Sequence, residues 1–226
     1  MLTKHLPLAL LLFCVFPETS HADSDNQVWS SASFRHTSPQ GLKLEATQHL
    51  RLDQNARSVL SIMPAIEARY ALHPLLEIGT GYRYIQKRSK SGDFEEAHRF
   101  ELTGMSEKTT GRFTASYRLR GQTRYDMDDN QFKTTLRNRL KLSLDTDSQF
   151  TPFVATESFS DRTAGGLDHR GLRSSFGTAI RLSKIHRIKV RFHYEAPLDG
   201  SGDVERIVAL SYLYKHKHAP ESSPDP

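Results

Sequence analysis

Cysteine is nearly missing from this sequence. The single copy, Cys14, follows Phe13, where a lipidation signal needs a small residue, and it lies in the opening segment MLTKHLPLALLLFCVFPETSHA. An early lysine, an apolar run from Leu8 to Phe16, Pro17 and the small-residue site Ser20-His21-Ala22 predict a secretory signal peptide over 1–22, cleaved after Ala22. The expected mature chain then has no thiol, which excludes disulfide scaffolding and thiolate chemistry and is ordinary for an envelope protein of this length. Beyond residue 22 no apolar run is long enough for a spanning helix, and mean hydropathy is negative. These absences exclude a helical membrane protein. They do not exclude a membrane β-barrel, in which half of each strand is polar.

Catalytic signatures are also absent. No GxSxG, paired-carboxylate site or metal-ligand cluster occurs, so the sequence predicts no catalytic residue, no metal and no cofactor. FRHTS (34–38) sets His36 near Ser38, and DHRG (168–171) sets Asp168 beside His169, both in expected connections. They are the weak basis for a lipid-modifying enzyme as an alternative. The net charge is +5, from 31 Lys and Arg against 26 Asp and Glu, and where it sits matters more than its sum.

What is present is alternation. RFTASYRLRGQTRY (112–125) puts Phe113, Ala115, Tyr117, Leu119 and Tyr125 on one parity and Arg112, Arg118, Arg120 and Arg124 on the other. QFKTTLRNRLKLSL (131–144) sets Phe132, Leu136, Leu140 and Leu142 against Lys133, Arg137, Arg139 and Lys141. The same period-2 pattern marks 27–36, 41–52, 58–72, 76–88, 94–105, 171–182, 186–195 and 205–214, and less cleanly 151–160, so about eleven strands are predicted. Short connections near 73–74, 108–111, 145–150 and 183–186 alternate with longer ones at 89–93, 126–130, 161–170 and 197–203. That spacing predicts an antiparallel up-and-down transmembrane β-barrel over 23–214, of about 10–12 strands, followed by a disordered tail over 215–226. Phe94, Tyr125, Phe132, Tyr194 and Tyr214 near strand ends suit interfacial aromatic girdles. An even strand number with both termini in the periplasm is expected of a bacterial barrel, so eleven calls for one strand fewer or one more. His216 and His218 in the tail are a weak metal-binding candidate.

Several segments in order, GYRY (81–84), HRFE (98–101), RLR (118–120), RNRLKL (137–142) and TPFVATESF (151–159), resemble a domain-of-unknown-function family of small Gram-negative outer-membrane β-barrels. The resemblance spans about Trp29 to Tyr214. It implies export, an outer-membrane barrel, and no established activity or catalytic residues. Members commonly end on the aromatic of the last strand, whereas here a tail follows Tyr214, which bears on how the barrel-insertion machinery would read that strand. A looser likeness, carried by no motif, is to small porins for acidic oligosaccharides.

In a barrel the arginine parity must face the lumen, because a cation at the hydrocarbon midplane costs about 2–4 kcal/mol. The predicted lumenal anion-binding set is Arg112, Arg118, Arg120 and Arg124, then Arg137 and Arg139, then Arg173, Arg181 and Arg191. Glu45, Glu67, Glu77, Glu95, Glu101 and Glu195 are the expected lumenal acids, mostly on early strands. Two readings follow: a narrow passive channel for small anions such as acidic oligosaccharides, or a barrel plugged by Arg–Glu pairs with a structural or assembly role. Expected partners are membrane lipids, an anionic solute and the insertion machinery. Nucleic acid is excluded, since the arginines follow strand parity instead of forming a patch.

Overall fold

The computed structural model describes residues 26–53, 56–89, 91–198 and 204–217. The expected signal peptide over 1–22 and residues 218–226, with His218, lie outside them. Eleven strands close into one barrel: β1 (Asn26–Thr37), β2 (Lys43–Asp53), β3 (Ser58–His73), β4 (Leu76–Arg88), β5 (Phe94–Thr110), β6 (Phe113–Asp126), β7 (Gln131–Leu144), β8 (Phe150–Thr163), β9 (Gly166–Arg181), β10 (His186–Pro197) and β11 (Glu205–Lys217). All eleven periodic segments are strands. β11 runs to Lys217, three residues into the expected tail.

Neighbours pair antiparallel in sequence order, except at the seam. There β1 and β11 run parallel, in register from Asn26↔Arg206 to Thr37↔Lys217. The expectation of an even strand number is therefore corrected. A parallel ladder joins the edges because the face alternation matches across it: Phe34 meets Tyr214 on one face, and Ser31 bonds Ser211 (Oγ–Oγ 2.9 Å) on the other. The chain consequently starts β1 at one mouth of the barrel and ends β11 at the opposite mouth. We term these the N-mouth and the C-mouth.

The expected connections fall on the expected ends, with one correction. The longer ones follow β4, β6 and β10, whose ends lie at the N-mouth, and the turns 74–75, 111–112 and 182–185 lie at the C-mouth. The expected long loop 161–170 is instead a hairpin with turn 164–165, since β8 and β9 stay paired out to Thr163↔Gly166. Asp168 and His169 thus belong to a strand. At the C-mouth, the two-residue turn 111–112 needs the left-handed backbone of Gly111 (φ 58°). Pro64, which has no N–H, sits where the β3–β4 ladder skips from Ile62↔Gln86 to Ala65↔Arg83.

The wall is inverted relative to a soluble protein. Leu102 (70 % exposed), Phe132 (72 %), Ile66, Phe100, Leu140, Val154 and Phe176 point outward into open space. Facing inward are Glu101, Thr103, Arg120, Glu157, Ser175 and His193, all buried. The aromatics near strand ends also lie outward, with Tyr125 on Phe132 (ring centroids 4.8 Å) and Phe34 on Tyr214 (5.7 Å).

Gly177 shows how tightly the interior is filled. It faces the lumen opposite Phe153 and Arg191. A Cβ there would meet the Val190 carbonyl oxygen at 2.2 Å and the Phe153 ring at 3.1 Å, whereas one at Gly104 meets nothing within 4 Å. Gly177→Val is therefore expected to destabilise the barrel by about 3 kcal/mol, against no measurable change for Gly104→Ala, read from urea midpoints of the refolded protein.

Candidate lumenal anion site

The strand period places an inward side chain every second residue, about 6.6 Å apart along a strand. β6 and β7 run side by side with Arg118↔Arg139 and Arg120↔Arg137 in register, so four guanidiniums project from one patch of wall. Such a patch needs carboxylates close by. Glu101 supplies one: its oxygens lie 2.5 Å from Arg120 Nη1 and 3.0 Å from Arg99 Nε. Glu157 supplies another, 2.7 Å from Arg118 Nη2, 3.0 Å from Arg137 Nη2 and 3.8 Å from Arg173 Nη1. Glu67 adds a 3.2 Å contact to Arg120, whose Nε also donates to Thr103 Oγ1 at 2.9 Å. Glu195 takes Arg173 at 2.5 Å.

Two levels result. Toward the N-mouth the lumen narrows. Trp29 lies under the Arg51 guanidinium (3.8 Å to the ring centroid) and beside that of Arg173 (5.0 Å). Phe159 carries Arg137 and Arg173 at 4.9 and 4.8 Å. Met63, Ile85 and Ala97 form a buried apolar cluster, and Ile207 is 2 % exposed. Guanidinium stacked on an aromatic face holds a cation where an acid is not available.

Toward the C-mouth a chamber of about 340 Å³ opens, continuous in its lining with a deeper space of about 190 Å³. Its walls differ in charge balance. On β1 to β4, Glu45 takes Arg35 (2.6 Å) and Arg69 (2.7 Å), and Glu77 takes Lys43. On β7 and β10, Arg139, Lys141, Arg187 and Lys189 form no ion pair among the described residues, although Arg139 stands across from Glu157 in register, and Arg191 donates from Nη2 to Ser211 Oγ at 2.6 Å. Lys141 and Lys189 instead approach the Phe153 ring, at 5.8 and 6.0 Å.

The nine predicted anion-binding arginines divide accordingly. Arg118, Arg120, Arg137, Arg139, Arg173 and Arg191 come together in the lumen. Arg124 faces inward near the N-mouth and pairs with Asp126. Arg112 belongs to turn 111–112, is 58 % exposed, and pairs with Asp147 across the C-mouth. Arg181 ends β9, exposed at the same mouth. Of the expected lumenal acids, Glu101 meets Arg99 and Arg120, Glu77 binds Lys43 and Arg69, and Glu95 is an exposed residue near the start of β5. Arg51, Arg35, Lys189, Glu157, Trp29 and Phe159 are lumenal residues that the anion set omitted. Arg51 shares the parity of His49, and Glu157 lies in the least regular segment, where the β8–β9 register shifts between Phe159 and Ser160.

The residues of the enzymatic alternative do not assemble. His36 stacks on His216 (5.3 Å), and the Ser38 hydroxyl accepts the Leu42 N–H in the β1–β2 turn. His169 Nδ1 does meet Ser160 Oγ (2.8 Å), as His193 Nδ1 meets Ser175 Oγ (2.7 Å), but both serines are buried.

Glu157 is the hub of the paired level, at 5 % exposure. Glu157→Ala leaves the half-buried Arg118 and Arg137 without a carboxylate and is expected to cost about 3 kcal/mol, the lower end for a broken buried pair. Removing the exposed Asp147 partner of Arg112 should cost under about 1 kcal/mol. Chemical-denaturation curves of the two variants beside the parent test the difference.

Among curated proteins none matches the chain. A family model described as a protein of unknown function, DUF2490, matches residues 26–201, from the start of β1 to beyond β10. With that span covering most of its barrel, the chain belongs to this family of unknown function.

Proposed function

We propose that the protein spans the outer membrane of a Gram-negative bacterium and serves as a narrow passive conduit for small anionic solutes. The membrane part rests on the inverted wall. Its outer face carries leucine, isoleucine, valine and phenylalanine, which a hydrocarbon layer would cover. Lipid is thus one partner, and barrel-insertion machinery reading β11 another. The anion part rests on one observation: a lumenal space open toward the C-mouth whose wall presents Arg139, Arg187, Lys189 and Arg191, none of them in an ion pair among the described residues. A mobile anion would supply the missing charge, and fixed guanidinium forks would favour it over a cation.

The Trp29–Phe159 level favours a second reading, a barrel plugged at the N-mouth with a structural or assembly role. Conductance separates the two. The refolded mature protein in planar bilayers under a salt gradient should give small, stable, anion-selective steps. The paired arginines Arg118, Arg120 and Arg137 matter less here than Arg139. Replacing Arg139 and Arg191 with glutamine should move the reversal potential toward the cation side, and Trp29→Ala should enlarge the steps. A folded protein that stays silent in both forms supports the plug.

A further inference from the structure

The chamber near the C-mouth has a composition that restricts what it takes. Its lining includes eight arginines and Lys189 against three carboxylates, Glu45, Glu67 and Glu101. Each of those carboxylates is held by a neighbouring guanidinium. The excess therefore rests on Arg139, Arg187, Lys189 and Arg191 along β7 and β10, together with Arg83 on β4. Uncompensated like charges in a walled space repel one another strongly unless a counter-anion sits among them. One monocarboxylate would leave most of this excess standing. A phosphate monoester brings nearly two charges and three acceptor oxygens, which suits a cluster mixing guanidinium forks and an ammonium.

The adjoining wall, formed by β11, β1 and β2, adds hydroxyls beside these cations, with Ser211 next to Lys189 in register and accepting from Arg191. Ser31 and Ser211 are hydrogen-bonded to each other (2.9 Å), and Ser33 to Thr47 (2.8 Å). Hydroxyl pairs of this kind exchange partners with a polyol at little cost, since each oxygen both donates and accepts. The volume, about 340 Å³, sits at the lower end of small-molecule sites, about 300–1,000 Å³. It suits a monosaccharide and not an oligosaccharide.

We infer that the chamber is a binding site for phosphorylated monosaccharides, with Arg139, Lys189 and Arg191 holding the phosphate and the Ser31–Ser211 and Ser33–Thr47 side facing the sugar. This rests on the reading of the lumen as an anion path and names the anion class. Access is from the C-mouth, where Arg35 and Arg187 lie near the ends of their strands.

The test is calorimetric titration of the refolded mature protein, in detergent at constant ionic strength, with glucose 6-phosphate, inorganic phosphate, glucuronate and glucose. Saturable binding of glucose 6-phosphate about tenfold tighter than of glucuronate, with inorganic phosphate between them and no binding of glucose, supports the site. Lys189→Gln combined with Arg191→Gln should weaken glucose 6-phosphate by at least about tenfold, and Arg112→Gln at the rim should not. These substitutions remove unpaired charge, so the variants should fold. As an independent readout, glucose 6-phosphate should raise the melting temperature of the parent and not of the double variant. Glucuronate binding as tightly as glucose 6-phosphate, no saturable phosphate binding, or a double variant that binds like the parent would each overturn the inference. Binding in a protein silent in bilayers keeps the site and removes the conduit, whereas anion conductance without phosphate preference keeps the conduit and removes the site.

Discussion

A barrel wall one residue thick makes every strand a boundary between two environments, and here those environments are reversed from those of a soluble protein. The period of two leaves no position neutral: Leu119 and Leu140 must be outside if Arg118, Arg120, Arg137 and Arg139 are inside. The outward face carries the large apolar residues, and the inward face carries nearly all the strand arginines. Closure by a parallel seam obeys the same rule. β1 and β11 join because their alternations match, not because their number is even.

Once the arginines are turned inward, charge compensation decides the shape of the lumen. Carboxylates are too few to serve every guanidinium, so they are shared: Glu157 among three, Glu101 between two, Glu45 between two. Around the shared acids and over Trp29 the interior narrows to a space of about 190 Å³. Along β7 and β10 several cations stand outside any ion pair among the described residues, and a chamber lies beside them.

Much of this was legible in the sequence, because alternation survives in nearly every segment. The eleven strands, the outward face and the inward placement of Arg118, Arg120, Arg137 and Arg139 follow from periodicity alone. The failures occur where periodicity carries no information. Turn position moved Arg112 out of the lumen by a single residue. The hairpin 161–170 looked like a loop because Thr163-Ala164-Gly165-Gly166 breaks the pattern although the ladder continues past it. Parity of the strand count was inferred from what barrels usually do, and a seam between chain ends is a long-range pairing no local pattern encodes. Glu157 was passed over because a register shift blurs its strand. Which arginines are left unpaired depends on distances across the lumen that one-dimensional spacing cannot supply.

The inversion of the wall is the claim on which the rest stands, and site-directed spin labelling tests it directly. Labels would be placed one at a time at Leu119, Leu140 and Leu142, and at their neighbours Arg118, Arg139 and Lys141, in mature protein refolded into phospholipid vesicles. The account predicts strong relaxation by oxygen dissolved in the bilayer for the three leucine positions and little for the three basic ones. Equal lipid contact at both sets, or stronger contact of the leucine positions with a water-soluble nickel chelate, would contradict it.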